Sequence, residues 1–140
     1  MTVVVDASVA AKWFIRENGR KQALKALDAP SRHAPDLIVA EIANVAWKKA
    51  IRGEVTTDQA RFISAAVARY FAVLHRSEAL VHRAMEIALT LRHPVYDCLY
   101  LACAERAGGR LITADRKLLA TLQRTEFASI AIHIDAFSAG

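Results

Sequence analysis

Apolar positions along the chain follow two rhythms. Short runs rich in β-branched residues alternate with longer segments whose apolar residues recur at helical spacing. The first run, Val3-Val4-Val5, leaves no polar position to face solvent, the pattern of a strand buried on both sides. Ala7 to about Arg16 then reads as a helix, broken at Asn18-Gly19. A second helical stretch runs from Arg20 to Asp28 and stops before Pro30, and Arg32-His33-Ala34 forms a short strand. Asp36 is placed as the N-cap of a long helix from Leu37 to about Arg52, closed by Gly53. Thr56 and Gln59 form a capping box for a helix carrying Ala60, Ile63, Val67 and Tyr70. Ala72 to His75 is a strand. Ser77 is read as the cap of the next helix, which His93-Pro94 stops. A helix over Cys98–Ala107 ends at Gly108-Gly109. The strand Arg110–Thr113, a helix over Arg116–Gln123, the strand Ile130–Ile134 and a tail from Asp135 to Gly140 complete the chain. This alternation predicts an α/β fold: a short central parallel sheet of about five strands with helices on both faces. A chain of this length is expected to form a single domain, residues 1–140.

The helix from Leu37 is amphipathic in an unusual way. At 100° per residue, Ile38, Ile42 and Val45 share one side, and Ala40, Trp47 and Ile51 share another. Between them run Glu41, Asn44 and Lys48. Such a stripe, with apolar residues on both flanks, fits either a narrow solvent strip or an acid at the edge of a cleft.

Composition narrows the class. The chain is 54% hydrophobic, which excludes a disordered protein. Cys98 and Cys103 lie in one apparent helix with side chains pointing apart, and read as small core residues in a reducing compartment. No stretch approaches the ~18 apolar residues of a membrane span, and the apolar run after Met1 meets Asp6 too soon for a signal peptide. The expected location is the cytoplasm. Nineteen Lys and Arg against fourteen Asp and Glu give a net charge of +5. That balance favours a polyanionic partner, nucleic acid first.

Candidate chemistry lies in four acids. Asp6 and Asp115 each follow an apolar strand and precede a helix, so a parallel sheet places both on its carboxyl edge. Asp97 begins a helix and Glu41 is one turn into another. Each Asp also has a capping explanation. Four carboxylates together raise one another's pKa unless a cation joins them. All-oxygen ligands without His or Cys select Mg²⁺ or Mn²⁺. Such an ion makes a bound water nucleophilic and stabilises charge on a phosphate, chemistry that suits a basic protein.

The sequence resembles the PIN-domain ribonucleases, and among them the toxins of VapBC-type toxin–antitoxin pairs. The resemblance rests on Val-Asp-Ala-Ser (5–8) with Lys-Trp-Phe (12–14), on the segments 34–44 and 96–102, and on Leu-Ile-Thr-Ala-Asp-Arg-Lys-Leu (111–118). Each motif is weak alone, but their order and spacing span nearly the whole chain. The resemblance implies a Mg²⁺- or Mn²⁺-dependent endoribonuclease with Asp6, Glu41, Asp97 and Asp115 as its acidic site. It implies that Thr113, Ser8 and Asn44 support metal or substrate. It also implies a homodimer inhibited by a small antitoxin whose C-terminal segment covers the cleft.

On this reading Asp6, Asp97 and Asp115 hold the metal, Glu41 binds or orients the attacking water, and no His stands by as general base. Lys12, Lys48, Arg116 and Lys117 are candidate RNA contacts. Trp13 or Trp47 is a candidate stacking platform, and His75 and His82 are surface or satisfied histidines. Two rivals stay open: a Mg²⁺-dependent phosphoacceptor domain, and a non-catalytic module that binds a partner peptide.

Overall fold

Residues 1–140 are described by a computed structural model. Five parallel strands form one sheet: β1 (Thr2–Val5), β2 (Ser31–Pro35), β3 (Val73–His75), β4 (Arg110–Thr113) and β5 (Ala131–His133). Their order is β3-β2-β1-β4-β5, so the chain winds outward one way from β1 and then returns to wind the other way. The reversal falls between β1 and β4. Open α/β sheets form a crevice at such a point, beyond the carboxyl ends of the strands.

Seven α-helices cover the sheet: α1 (Ala7–Phe14), α2 (Arg20–Ala23), α3 (Leu37–Ile51), α4 (Thr57–Ala66), α5 (Ser77–Leu91), α6 (Val95–Ala107) and α7 (Arg116–Leu122). Val3, Val4 and Val5 are at most 2% exposed, as their lack of alternation requires. α6 packs over β1 and β2, α1 reaches β4, and α5 and α3 pack on α6 and α4. Cys98 and Cys103 are unbridged and fully buried in α6. Burial pushes their thiols up to about 11 and about 12, which leaves them inert core residues.

Several boundaries differ from the sequence pattern. α1 stops at Phe14 because Ile15 turns to extended backbone and buries its side chain. The stretch after Gly19 divides into α2 and a 3₁₀ turn, Leu24–Asp28. α6 begins at Val95, with Pro94 as its N-cap, so Asp97 lies within its first turn and does not cap it. The C-terminal tail folds back through a 3₁₀ turn, Ile134–Ala136, and buries Phe137.

Asp36 is the clearest correction. Its backbone is helical and its side chain does not cap α3. Its carboxylate instead accepts hydrogen bonds from the Ser77 hydroxyl and from the Ser77 N–H at 3.2 Å. Ser77 is accordingly the first residue of α5 and not its cap; the cap position is Arg76. The carboxylate satisfies an orphan N–H of α5 from across the sheet edge, a pairing that spacing along the chain does not reveal.

Candidate active site at the β1–β4 crevice

The pairing of β1 with β4 sets Val5 opposite Ile112, and the Asp6 N–H donates to Ile112 O at 3.2 Å. Asp6 and Thr113 therefore leave the sheet side by side. Ser8 stitches the two strand ends together. Its hydroxyl donates to Asp6 Oδ1 at 2.5 Å and accepts from the Ala114 N–H at 2.9 Å. The fully buried Thr113 lies 3.4 Å from Ser8 through its hydroxyl, and accepts from the Asp115 N–H at 3.0 Å.

Both expected caps at this edge are real. Asp6 Oδ1 accepts from the Val9 N–H at the start of α1. Asp115 Oδ1 accepts from the Lys117 and Leu118 N–H groups of α7, at 3.0 and 3.1 Å. Asp6 is only 7% exposed, and burial drives its pKa up to about 6. The Ser8 and Thr113 hydroxyls and the Val9 N–H pull it back, while the charge of Asp97 pushes it further up.

Glu41 is half-buried on α3 and accepts a hydrogen bond from the Tyr100 hydroxyl of α6. Burial raises its pKa, Tyr100 lowers it, and Asp97 raises it again. Tyr100 itself is held well above its ordinary range by burial and by Glu41, so it stays a donor. Asp97 thus acts electrostatically on both Asp6 and Glu41.

The structure brings Asp6, Glu41 and Asp97 into one field and leaves Asp115 beside them on the same strand edge. As they stand, no three of these groups converge closely enough to ligate one ion. Each is turned to a partner of its own. At all four acids the hydrogen bonds within the fold fall on one carboxylate oxygen: Asp6 Oδ1, Glu41 Oε1, Asp97 Oδ2 and Asp115 Oδ1.

Other candidates are placed less centrally. Asn44 and Lys48 are exposed on α3, in line with Glu41. The Lys12 ammonium lies over Gly19, Arg116 pairs with Asp135 at 3.2 Å, and Lys117 is exposed. Trp13 is buried, donating from its indole N–H to Ala23 O at 2.9 Å, and is not a stacking platform; Trp47 is 57% exposed. His82 is exposed, while His75 is satisfied by His33 at 2.9 Å.

Two residues of the site escape the sequence pattern. One is Tyr100. The other is His93, whose Nε2 lies 2.6 Å from Asp97 Oδ2. Tyr100 lies three residues after Asp97 on α6, whereas His93 precedes the helix, so helical spacing along the chain does not point to it.

The chain matches the PIN domain family over residues 3–123. It is 37% identical over 121 residues to Ribonuclease VapC3 of Pyrobaculum aerophilum, covering 84% of this chain and 92% of that protein. A crystal structure of PAE2754 from Pyrobaculum aerophilum superposes with a TM-score of 0.69 at 26% identity, covering 96% of this chain and 90% of the other. A toxin–antitoxin complex from Klebsiella pneumoniae shares the fold, with a TM-score of 0.69 at 18% identity and coverage of 97% and 98%. Its parallel sheet, switch point and crevice acids accord with these matches: the chain belongs to the PIN-domain family and, within it, to the VapC type.

Proposed function

We propose that this protein is a divalent-metal-dependent endoribonuclease, the toxin of a toxin–antitoxin pair, built as one PIN unit. The observation that carries the reading is the half-occupied state of all four acids. Each keeps one carboxylate oxygen for the fold and leaves a second for an ion, and burial raises the pKa of Asp6 among them. An all-oxygen donor set of this kind fits Mg²⁺ or Mn²⁺ held by one or two carboxylates, the others acting through water. When bound, the ion neutralises the acids, acidifies a water and stabilises charge on the phosphate and its leaving 3′-oxygen.

The residues divide the work by position. Asp6, Asp97 and Asp115 hold the ion directly or through water. Glu41, at the margin of the cluster on a different helix, orients the attacking water in line with the phosphorus. Ser8 and Thr113 keep the ends of β1 and β4 in register. Asn44 and Lys48 extend from Glu41 along α3 toward the substrate strand, and Lys117 and Arg116 flank Asp115. The net charge of +5 attracts the RNA.

Two apolar surfaces support protein partners. A groove of about 780 Å³ between α1, α3 and α4 is lined by Phe14, Phe62 and Tyr70, with the cations Arg16, Arg20 and Lys49 outnumbering the acids Glu54 and Asp58. It suits an acidic amphipathic segment of an antitoxin. Val81, Met85 and Leu89 form an exposed stripe on α5 that suits a second copy of the chain. No helix is long and apolar enough to cross a membrane.

The test is a map of new 5′ ends across total cellular RNA after induction. Discrete cleavage sites should appear with the wild type and be missing with Asp6→Asn. Identical maps for the two would remove the assignment.

A further inference from the structure

We propose that His93 is a positioning residue that fixes the Asp97 carboxylate for metal; this rests on the metal-dependent reading above. His93 is held unusually firmly for a residue between two helices. α5 ends on Arg92, which adopts the left-handed conformation (φ 52°, ψ 49°) without being glycine. That conformation is disfavoured for a side chain with a Cβ and persists only where the surroundings enforce it. The His93 N–H then donates back to Ala88 O at 3.1 Å, closing the helix end. Pro94 follows as the N-cap of α6, its φ of −53° fixed by its ring. The backbone of His93 is therefore fixed from both sides, and its ring is aimed rather than free.

What it is aimed at is one oxygen. Nε2 lies 2.6 Å from Asp97 Oδ2, a short charge-assisted contact from the α5–α6 junction onto the first turn of α6. The imidazole is the more buried partner, its side chain 21% exposed against 39% for Asp97. The ring forms a backing and the carboxylate is the part presented outward. Asp97 already lies in the first turn of α6, where the helix N–H groups favour its charge. The hydrogen bond decides which way the carboxylate points. With Oδ2 held, Oδ1 is the oxygen offered to an ion.

Asp97 is also the acid whose orientation matters most. Its charge acts on Asp6 from one side and on Glu41 from the other. These two come from the β1 end and from α3, so Asp97 on α6 links elements that share no other acid. Partners that orient a metal ligand from behind typically contribute 10–100-fold to metal affinity or activity.

The experiment titrates Mn²⁺ into metal-free wild type, His93→Ala and His93→Gln, following free Mn²⁺ by electron paramagnetic resonance, with thermal unfolding run on each. Gln carries an amide N–H near the place of Nε2; Ala does not. His93→Ala should bind Mn²⁺ about 10–100-fold more weakly. His93→Gln should stay within a few-fold of wild type. RNA cleavage by the Ala variant should recover when Mn²⁺ is raised to saturate it. If Ala does not fold, His93→Leu, which keeps bulk without a donor, takes its place. Wild-type Mn²⁺ affinity in the donorless variant overturns the proposal, as does a Gln variant as weak as Ala. A wild type that binds no Mn²⁺ overturns the metal reading itself.

Discussion

Asp6→Asn is expected to abolish RNA cleavage and, in the same molecule, to raise the melting temperature of the metal-free protein. Asp6 is 7% exposed, with its pKa raised from 3.8 to about 6 by burial. Between those two values the folded protein holds a proton that the unfolded chain has released. Stability therefore falls as pH rises from about 4 to about 6, by roughly 3 kcal/mol in total, and stays low above that. Below about 4 both states are protonated and there is no penalty. Asn carries no charge at any pH, and its Oδ1 still accepts from Ser8 and Val9. Metal-free Asp6→Asn should thus melt roughly 6 to 12 °C above wild type at pH 7.5, with the gap closing toward pH 4. Cleavage should fall by about 10³-fold or more, equivalent to roughly 4 kcal/mol of transition-state stabilisation. A variant that melts lower than wild type at pH 7.5 would contradict the electrostatic account. One that cuts RNA at the wild-type rate would remove Asp6 from the site.

Gly109→Ala, just before β4, should be the most damaging Gly→Ala change in the chain. A Cβ at Gly109 would lie 2.4 Å from the carbonyl oxygen of Thr2 and 3.0 Å from its carbon. Both are backbone atoms of β1, which cannot swing aside as a side-chain tip can. β4 would have to move away from β1, and this is the pair whose far ends carry Asp6 and Thr113. The expected loss is about 3 kcal/mol or more. Its neighbour provides the control. Gly108 has φ +67° with open space around it, so Gly108→Ala should lose only about 1 kcal/mol, through backbone strain alone. Urea denaturation of the two variants separates the effects. A Gly109→Ala protein within 1 kcal/mol of wild type would mean that β1 and β4 are less closely fitted than their register indicates.

Much of this arrangement is legible in the sequence because it follows from periodicity. Val3-Val4-Val5 has no polar alternate, so the strand is expected to be buried on both faces, and β1, in the middle of five, is. Asp6 and Asp115 stand between an apolar run and a helix, so parallel strands place both at one edge. Glu41 lies between two apolar flanks of α3, only one of which is buried. Ile38, Ile42 and Ala46 enter the core, while Trp47 and Ile51 remain bare.

The parts that were not legible depend on contacts between elements. Asp36 precedes a helix and would cap it, yet Ser77 offers its donors from another strand–helix junction. Tyr100 is one more aromatic in an apolar helix until α3 brings Glu41 to its hydroxyl. His93 looks like a stop signal beside Pro94, and only the true start of α6 shows that it faces Asp97. Trp13 and Trp47 are chemically alike in sequence. Packing against Tyr70 and Phe71 removes the first from solvent.

The central claim is that these carboxylates cut RNA only with a divalent ion among them. Its most direct test uses protein freed of antitoxin, stripped with EDTA and returned to buffer with Mg²⁺, Mn²⁺ or neither, with cleavage of cellular RNA followed over time. The account predicts no cleavage without metal, cleavage restored by either ion, and none by Asp6→Asn under any of the three conditions. Cleavage at the same rate in EDTA, or wild-type protein that stays inactive with both ions on total cellular RNA, would contradict it.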